Sequence, residues 1–129
     1  MAKEPRRRRV HVTQVVGEKG HRYEEPVTPP ICDFCADIGP AWDYPCESFQ
    51  VMPPSVRVPF ASHENWLACD PCHELIQQAI ETGDVDSLIA RMTSSFPLRG
   101  KELALLRRDM RVIYGEFLAR RTGDPEPWG

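Results

Sequence analysis

The stretch CDFC at residues 32–35 returns in altered form as CDPC at residues 69–72. Each stretch holds two cysteines at the C-x-x-C spacing, which lets both sulfurs of a pair point toward one centre. The second stretch leads directly into HELIQQAI, a run with the apolar period of a helix. The fold of the chain depends on whether these four thiols form disulfides, a redox centre or a metal site.

The length and composition of the chain narrow these alternatives. With 129 residues, of which 41% are hydrophobic, the chain suits one small domain, and many of its 13 prolines lie before residue 60. A domain of this kind usually needs a further source of stability, such as disulfides or a structural metal. The absence of an 18-residue apolar run and of a secretory signal predicts a cytoplasmic, intracellular protein, in which disulfides do not persist.

A metal site therefore explains the cysteine pattern best. The 33 residues between the two pairs are enough for a hairpin and a loop. We predict one structural Zn²⁺ ion with four thiolate ligands. These ligands are Cys32, Cys35, Cys69 and Cys72. A thioredoxin-like redox motif would require a βαβ pattern, which the sequence lacks. A rubredoxin-like iron site would use the same ligands, although its second pair normally turns into a strand and not into a helix.

Three further side chains could act as ligands, but each has a simpler interpretation. We expect Cys46 to be a buried thiol in a strand. We expect His73 to be a helix residue beside the site and His63 to be a solvated loop residue.

The predicted elements form a small α+β fold. Trp42, Tyr44, Phe49 and Val51 have the character of strand residues, and further short strands are predicted at residues 55–58 and in WLAC at residues 66–69. The helix that follows should stop at TGD, residues 82–84. A second helix, VDSLIARM, should have Asp84 as its N-cap, and a long third helix should cover about residues 101–121.

Four segments follow from this order of elements. They are a basic and mostly disordered N-terminal arm at 1–30 with a short strand at 10–16, a zinc-binding domain at 31–93, a C-terminal helical extension at 94–121 and a flexible tail at 122–129. A zinc knuckle, a β-hairpin and a helix that begins at the second cysteine pair resemble the treble-clef zinc finger. In that arrangement the positive end of the helix dipole faces the thiolates.

The motifs also resemble a group of small, uncharacterised treble-clef proteins of actinobacteria and their phages. The shared features are CDFC, Trp42, YP at 44–45, Phe49, Trp66, CDPC, LI at 75–76, GD at 83–84, Leu88 and Arg91. The chain departs from the group at Cys46, where a small residue is usual, and in its long charged third helix. The resemblance covers about residues 31–93. It implies the metal and the fold but no activity.

The formal net charge of −3 conceals a segregation of charge along the chain. Residues 31–98 carry −8, with Arg57 and Arg91 as their only cations besides histidine, whereas residues 1–30 carry +3 and residues 99–121 carry +4. Phosphates would attract the basic segments and would be repelled by the acidic middle. Nucleic-acid binding is therefore an alternative function. Its predicted contacts are Arg6, Arg7, Arg8, Arg9, Arg107, Arg108 and Arg111.

The third helix also carries an apolar seam. Its residues are Leu103, Leu106, Met110, Ile113 and Phe117, at intervals of 3, 4, 3 and 4. This spacing is typical of a helix pair or a short coiled coil. The seam could pack back onto the zinc domain, or it could contact a second copy of the chain or another protein, and both alternatives stay open at the level of sequence.

These observations predict a zinc-stabilised interaction or regulatory module that mediates protein–protein contacts and is not an enzyme. Some treble clefs are nucleases, but they add a catalytic histidine and a second metal site, and no His-Asn-His series follows here. We predict no catalytic residue, no membrane partner and no small-molecule substrate.

Overall fold

Three helices and seven short strands make up the described part of the chain. In the computed structural model, the described residues are 14–16, 22–24 and 30–129. The strands are β1 (Gln14–Val16), β2 (Arg22–Glu24), β3 (Trp42–Tyr44), β4 (Phe49–Val51), β5 (Phe60–Ser62), β6 (Trp66–Ala68) and β7 (Glu126–Pro127). The helices are α1 (Asp70–Thr82), α2 (Asp86–Thr93) and α3 (Gly100–Arg120). The predicted small α+β class is confirmed.

Strands β1 and β2 form an antiparallel pair in which Gln14 lies opposite Glu24. The sequence predicted one strand at residues 10–16 and no partner for it. In the structure, β1 covers the C-terminal end of that predicted range, and β2 is its partner strand. The disorder predicted for the rest of the N-terminal arm falls outside the described residues.

Strands β3 to β6 form one long hairpin with an interruption. β3 pairs with β6 and β4 pairs with β5, both antiparallel. Four residues, 45–48, separate β3 from β4, whereas three residues, 63–65, separate β5 from β6, so one arm contains an extra residue. At this irregularity the backbone N–H of Cys46 donates to Oδ1 of buried Asn65 at 3.2 Å. The side chain thus replaces a missing ladder partner.

The loop between β4 and β5 differs from its prediction. Residues 55–58 form turns and bends, and the strand begins only at Phe60. Pro53 and Pro54 lack the N–H groups that a ladder needs, and the Val56 N–H instead donates to the Pro53 carbonyl at 3.3 Å. The chain therefore turns at the point where two valines suggested a strand.

Helices α1 and α2 begin and end close to the predicted residues. Pro71 lies in the first turn of α1, and Gly83 ends the helix in the left-handed conformation at φ 76°, donating its N–H to Ala79 O at 2.7 Å. The N-cap position of α2 is Val85, one residue after the predicted Asp84. Asp84 still contributes, because its Oδ1 accepts the Asp86 N–H at 2.9 Å.

Helix α3 completes the hydrophobic core. Tyr114 and Phe117 are buried, and their rings lie 5.4 Å and 5.2 Å from the ring of Phe34, which sits between the first two cysteines. Trp66 of β6 contacts Phe117 at a ring distance of 5.0 Å. The segment predicted as an extension is thus packed on residues 31–93 and shares a core with them.

The C-terminal residues, which were predicted to be a flexible tail, pair with the hairpin. β7 pairs with β3, placing Glu126 opposite Asp43, and the Trp128 N–H donates to Ala41 O at 2.8 Å. The Thr122 N–H donates to Pro45 O at 3.1 Å. Two prolines give this tail no strand signal of its own. The edge of β3 supplies the backbone partners instead.

No helix in the described part of the chain has both the length and the apolar character needed to cross a bilayer.

Candidate metal centre

The four predicted ligands meet at one point of the fold. The Sγ atoms of Cys32, Cys35, Cys69 and Cys72 all lie within 4.8 Å of one another, and all but Cys35 are buried. This group of four sulfurs is called the cage below. Four thiols at such distances, drawn from two C-x-x-C pairs, could hold a metal ion.

The first pair sits in a tight turn tied to the hairpin. The Asp33 N–H donates to Leu67 O at 2.8 Å, and Asp33 Oδ2 accepts the Leu67 N–H at 2.6 Å. The turn closes where the Ala36 N–H donates to Cys32 O at 2.9 Å, with Ala36 at φ 67°. The Phe34 N–H points at Cys32 Sγ, 3.4 Å away. These bonds place both sulfurs on the side that faces the second pair.

The second pair is positioned by the start of α1. Cys69 is the N-cap residue, with extended backbone angles of −72° and 167°, and Cys72 lies in the first turn. The first N–H groups of a helix have no carbonyl partner within the helix, so they carry partial positive charge. The positive end of the α1 dipole therefore lies at the second pair.

Protons are divided unevenly among the sulfurs. A hydrogen bond with Cys72 lowers the pKa of Cys32 to about 5 and raises the pKa of Cys72 itself. Burial raises the pKa of Cys35 to about 11. Burial and the charge of Cys32 therefore oppose the ionisation of Cys35 and Cys72. A divalent cation would remove that repulsion, and its binding would release protons.

The geometry also bears on the disulfide and redox alternatives. All five cysteines are free thiols, and the Cys35 and Cys69 sulfurs are 3.6 Å apart, far beyond the bond length of about 2.05 Å in a disulfide. The two pairs converge on each other, whereas a redox motif of the thioredoxin type uses a single pair. The cage is thus consistent with zinc.

Arg91 of α2 is the cation of the site, and the sequence analysis assigned it no role. Its Nη2 lies 3.7 Å from Cys69 Sγ and 3.1 Å from Asp37 Oδ2, which follows the first pair. The nearby sulfurs of Cys72 and Cys69 raise the pKa of Arg91. A signal was present in the sequence, because residues 31–98 contain only two arginines and no lysine.

The three spare candidates do not join the cage. The His73 ring stacks on Trp42 at 4.0 Å, and its Nδ1 lies 2.6 Å from the Tyr44 hydroxyl. Burial lowers the pKa of His73. Cys46 is buried, its Sγ donates to Glu47 O at 3.4 Å, and His63 is exposed. His73 lies on α1 beside the cage, as predicted. Cys46 is buried, as predicted, but it lies between β3 and β4 and not in a strand, where it forms an isolated bridge with Arg121.

The seam residues divide into two groups along α3. Ile113 and Phe117 are buried in the core, whereas Leu103, Leu106 and Met110 are half-buried. For the C-terminal part of the seam, the structure favours packing against residues 31–93. The remaining part still presents apolar surface.

A groove beside the seam was not predicted. It lies between β5, β6 and α3, has a volume of about 550 Å³, and includes an aromatic and aliphatic floor. The floor residues are Phe60, Trp66, Met110, Ile113 and Tyr114, and Asp33, His63 and Glu64 also line the groove. No local pattern could indicate it, because its walls come together only when α3 packs on the hairpin.

The predicted nucleic-acid contacts are only partly described. Arg107, Arg108 and Arg111 are exposed on α3, and Arg111 Nε lies 2.9 Å from Asp86 Oδ1. Arg6, Arg7, Arg8 and Arg9 fall outside the described residues. These three of the four arginines of α3 therefore lie on the surface of the protein.

Comparisons of the chain with protein-family models, with curated proteins and with solved structures found no match. The cage, the groove and the surface of α3 are the structural features that bear on function.

Proposed function

We propose that this chain is a zinc-stabilised treble-clef module that is not an enzyme and that mediates protein–protein contacts. The observation that carries the proposal is the convergence of four Sγ atoms within 4.8 Å, two from a knuckle and two from the start of α1. The order of knuckle, long hairpin and helix supports the treble-clef assignment. The likeness to actinobacterial and phage proteins is part of the same proposal.

Zinc is the metal that this ligand set fits best. Four thiolates suit tetrahedral Zn²⁺, and a site closed by four protein ligands has no open position for water or substrate. That closure is the reason to assign the metal a structural role. The cage joins the hairpin to α1, so metal binding would contribute directly to folding free energy.

The groove is the proposed place of contact with a partner. Its floor contains Trp66 and half-buried Met110, and carboxylates of Asp33 and Glu64 also line it. An apolar floor beside negative charge is complementary to a protein segment that has an aliphatic or aromatic side chain next to a lysine or arginine. The partner is therefore expected to present a basic, apolar segment.

Metal analysis and partner capture test the two halves of this proposal. We expect one zinc per chain by mass spectrometry of the native protein. We expect Met110→Asp to abolish partner capture while leaving the circular dichroism spectrum unchanged. Val58→Asp is the matched control, since Val58 is 71% exposed and does not line the groove. Less than one zinc per chain refutes the metal half. If the Met110→Asp and Val58→Asp variants capture the partner equally well, the proposed contact site is refuted.

Nucleic-acid binding is the second candidate, and the distribution of charge around α3 favours it. At 3.6 residues per turn, Lys101, Arg107, Arg108 and Arg111 fall in a sector of about 120°. The carboxylates of Glu102, Asp109 and Glu116 fall in a separate sector of about 40°. One side of α3 is therefore cationic and could face a phosphate backbone.

Salt dependence tests this second candidate. Fluorescence anisotropy with duplex and single-stranded DNA should show affinity that falls steeply with salt, and replacing Arg107 and Arg108 by Gln should reduce that slope. Binding that is absent, or that does not depend on salt, would remove nucleic acid from consideration.

A further inference from the structure

The cage carries more negative charge than a single zinc ion can neutralise. Four thiolates around one Zn²⁺ leave a net charge of about −2. The surrounding residues 31–98 are themselves strongly acidic, with a formal charge of −8. Of their two arginines, Arg91 contacts a cage sulfur. The position of this cation therefore matters for any ion held there.

Arg91 is held in place by a second contact. Its Nη2 donates to Cys69 Sγ at 3.7 Å and also to Asp37 Oδ2 at 3.1 Å, and only 31% of its side chain is exposed. Its Nε is buried and has no hydrogen-bond partner among the described residues. A buried N–H without a partner is costly unless nearby negative charge offsets its loss of water. The cage supplies that charge.

Arg91 also links three parts of the fold. Asp37 follows the first cysteine pair, Cys69 begins α1, and Arg91 lies on α2. The apolar residues Leu88 and Ile89 of the same helix are buried in the core, so α2 is packed whether or not the ion pair forms. The guanidinium therefore adds an electrostatic contact to a helix that is already docked.

We propose that Arg91 is the positioning residue that retains the metal, by donating a hydrogen bond to the Cys69 thiolate and partly neutralising the cage. This inference rests on the proposed zinc site. The hydrogen bond gives the Cys69 sulfur a charged donor outside the cage, and a donor of this kind holds a metal ligand in position. Asp37 orients the guanidinium and keeps Nη2 directed at the sulfur.

Metal transfer to a chromogenic chelator measures this role in the full, zinc-loaded chain. We expect Arg91→Gln to release zinc about tenfold faster than the unchanged protein, as is typical when a partner of a metal ligand is lost. Arg91→Lys keeps the charge but has a shorter reach and a more strongly hydrated head group, so its rate should lie between the two. Asp37→Asn should accelerate release by a smaller factor.

Two controls separate this role from a general loss of stability. Arg111→Gln removes another cation that contacts α2, through Asp86 and away from the cage, and should leave the release rate unchanged. Leu88→Ala should destabilise α2 without removing the cation. In the Co²⁺-loaded proteins, only the Arg91 and Asp37 variants should shift the thiolate-to-metal charge-transfer band to lower energy, because the hydrogen bond to the sulfur lone pair is lost in Arg91→Gln and weakened in the other two.

The outcomes are distinguishable from a failure of the proposed function. If the unchanged protein binds neither zinc nor cobalt, the zinc module and the role of Arg91 are refuted together. If the protein holds one zinc per chain and Arg91→Gln releases it at the original rate with the charge-transfer band unmoved, only the role of Arg91 is overturned. Should Arg91→Gln fail to fold, the Arg91→Lys and Asp37→Asn variants decide the question by the same two measurements.

Discussion

Ser55 and Asp109, which are 54 residues apart in sequence, are joined by two hydrogen bonds. The backbone N–H of Ser55 donates to Asp109 Oδ1 at 2.9 Å, and the Ser55 hydroxyl donates to Asp109 Oδ2. Asp109 is only 7% exposed and lies on α3, whereas Ser55 lies in the turn before β5. The pair therefore fastens the proline-rich loop to the long helix.

The first prediction concerns this pair. Asp109→Ala should lower the free energy of unfolding by about 1–3 kcal/mol, because it leaves the Ser55 N–H without its acceptor. Ser55→Ala should cost less, about 0.5–1.5 kcal/mol, since the backbone bond survives. Denaturant unfolding of the metal-loaded protein measures both. Equal losses in the two variants would show that the backbone bond contributes nothing.

The second prediction concerns metal removal. Excess chelator should unfold the hairpin and α1, with loss of far-ultraviolet circular dichroism, because the cage joins them. Cys69→Ser should bind zinc much more weakly and unfold at a lower denaturant concentration, whereas Cys46→Ser should keep full zinc content. The sulfur of Cys46 does not belong to the cage. If Cys69→Ser retained both metal and stability, the cage would not be a metal site.

The third prediction concerns alkaline pH. Burial is the main cause that raises the pKa of Tyr114 above its ordinary value of 10. In the unfolded chain this phenol ionises near pH 10, but in the folded protein it stays protonated to higher pH. The unfolded state therefore releases a proton first, and stability should fall as pH rises from about 10 toward the folded pKa.

Tyr114→Phe isolates this contribution. The hydroxyl makes only a long hydrogen bond of 3.4 Å to Phe34 O, so the substitution should cost about 1 kcal/mol or less at neutral pH. The variant should lose less stability than the unchanged protein between neutral pH and pH values above 10. Chemical unfolding at several pH values gives the comparison, and parallel curves for the two proteins would contradict it.

The fourth prediction distinguishes a core helix from a separate extension. Phe117→Ala removes a fully buried ring of α3 and should cost about 3–5 kcal/mol, enough to unfold a marginal domain. Leu105→Ala is the matched control on the same helix, because Leu105 is 42% exposed, and its effect should stay within about 0.5 kcal/mol. Similar small losses in both would indicate that α3 is not part of the core.

The fifth prediction concerns the last residues. Deleting residues 122–129 removes β7 and the backbone bonds of Thr122 and Trp128, and should cost roughly 1–3 kcal/mol. The deletion also uncovers the edge of β3, which should increase self-association at high concentration. Light scattering and thermal unfolding measure the two effects. A truncated protein that is as stable and as monodisperse as the full chain would mean that this pairing is dispensable.

Several features of the fold could be predicted from local sequence. Gly83 ends α1 because glycine tolerates positive φ, and Asp84 helps start α2 because its carboxylate accepts an early N–H group. The four cage cysteines were predicted as one cluster because C-x-x-C spacing is a local geometric requirement. The single strand predicted at residues 55–58 was wrong, since Pro53 and Pro54 outweigh the β propensity of Val56 and Val58.

The sequence by itself determined which four sulfurs come together and where the helices begin and end, because spacing, caps and apolar periods act over a few residues. Only the tertiary structure decided that Ile113 and Phe117 belong to the core, that the tail adds a strand beside β3, and that Arg91 contacts Cys69. Each of these contacts joins segments that are distant in sequence. Arg91 and Cys69 have the smallest separation, 22 residues. Such pairings depend on which surfaces remain unpaired once the chain has folded, and no local pattern encodes that.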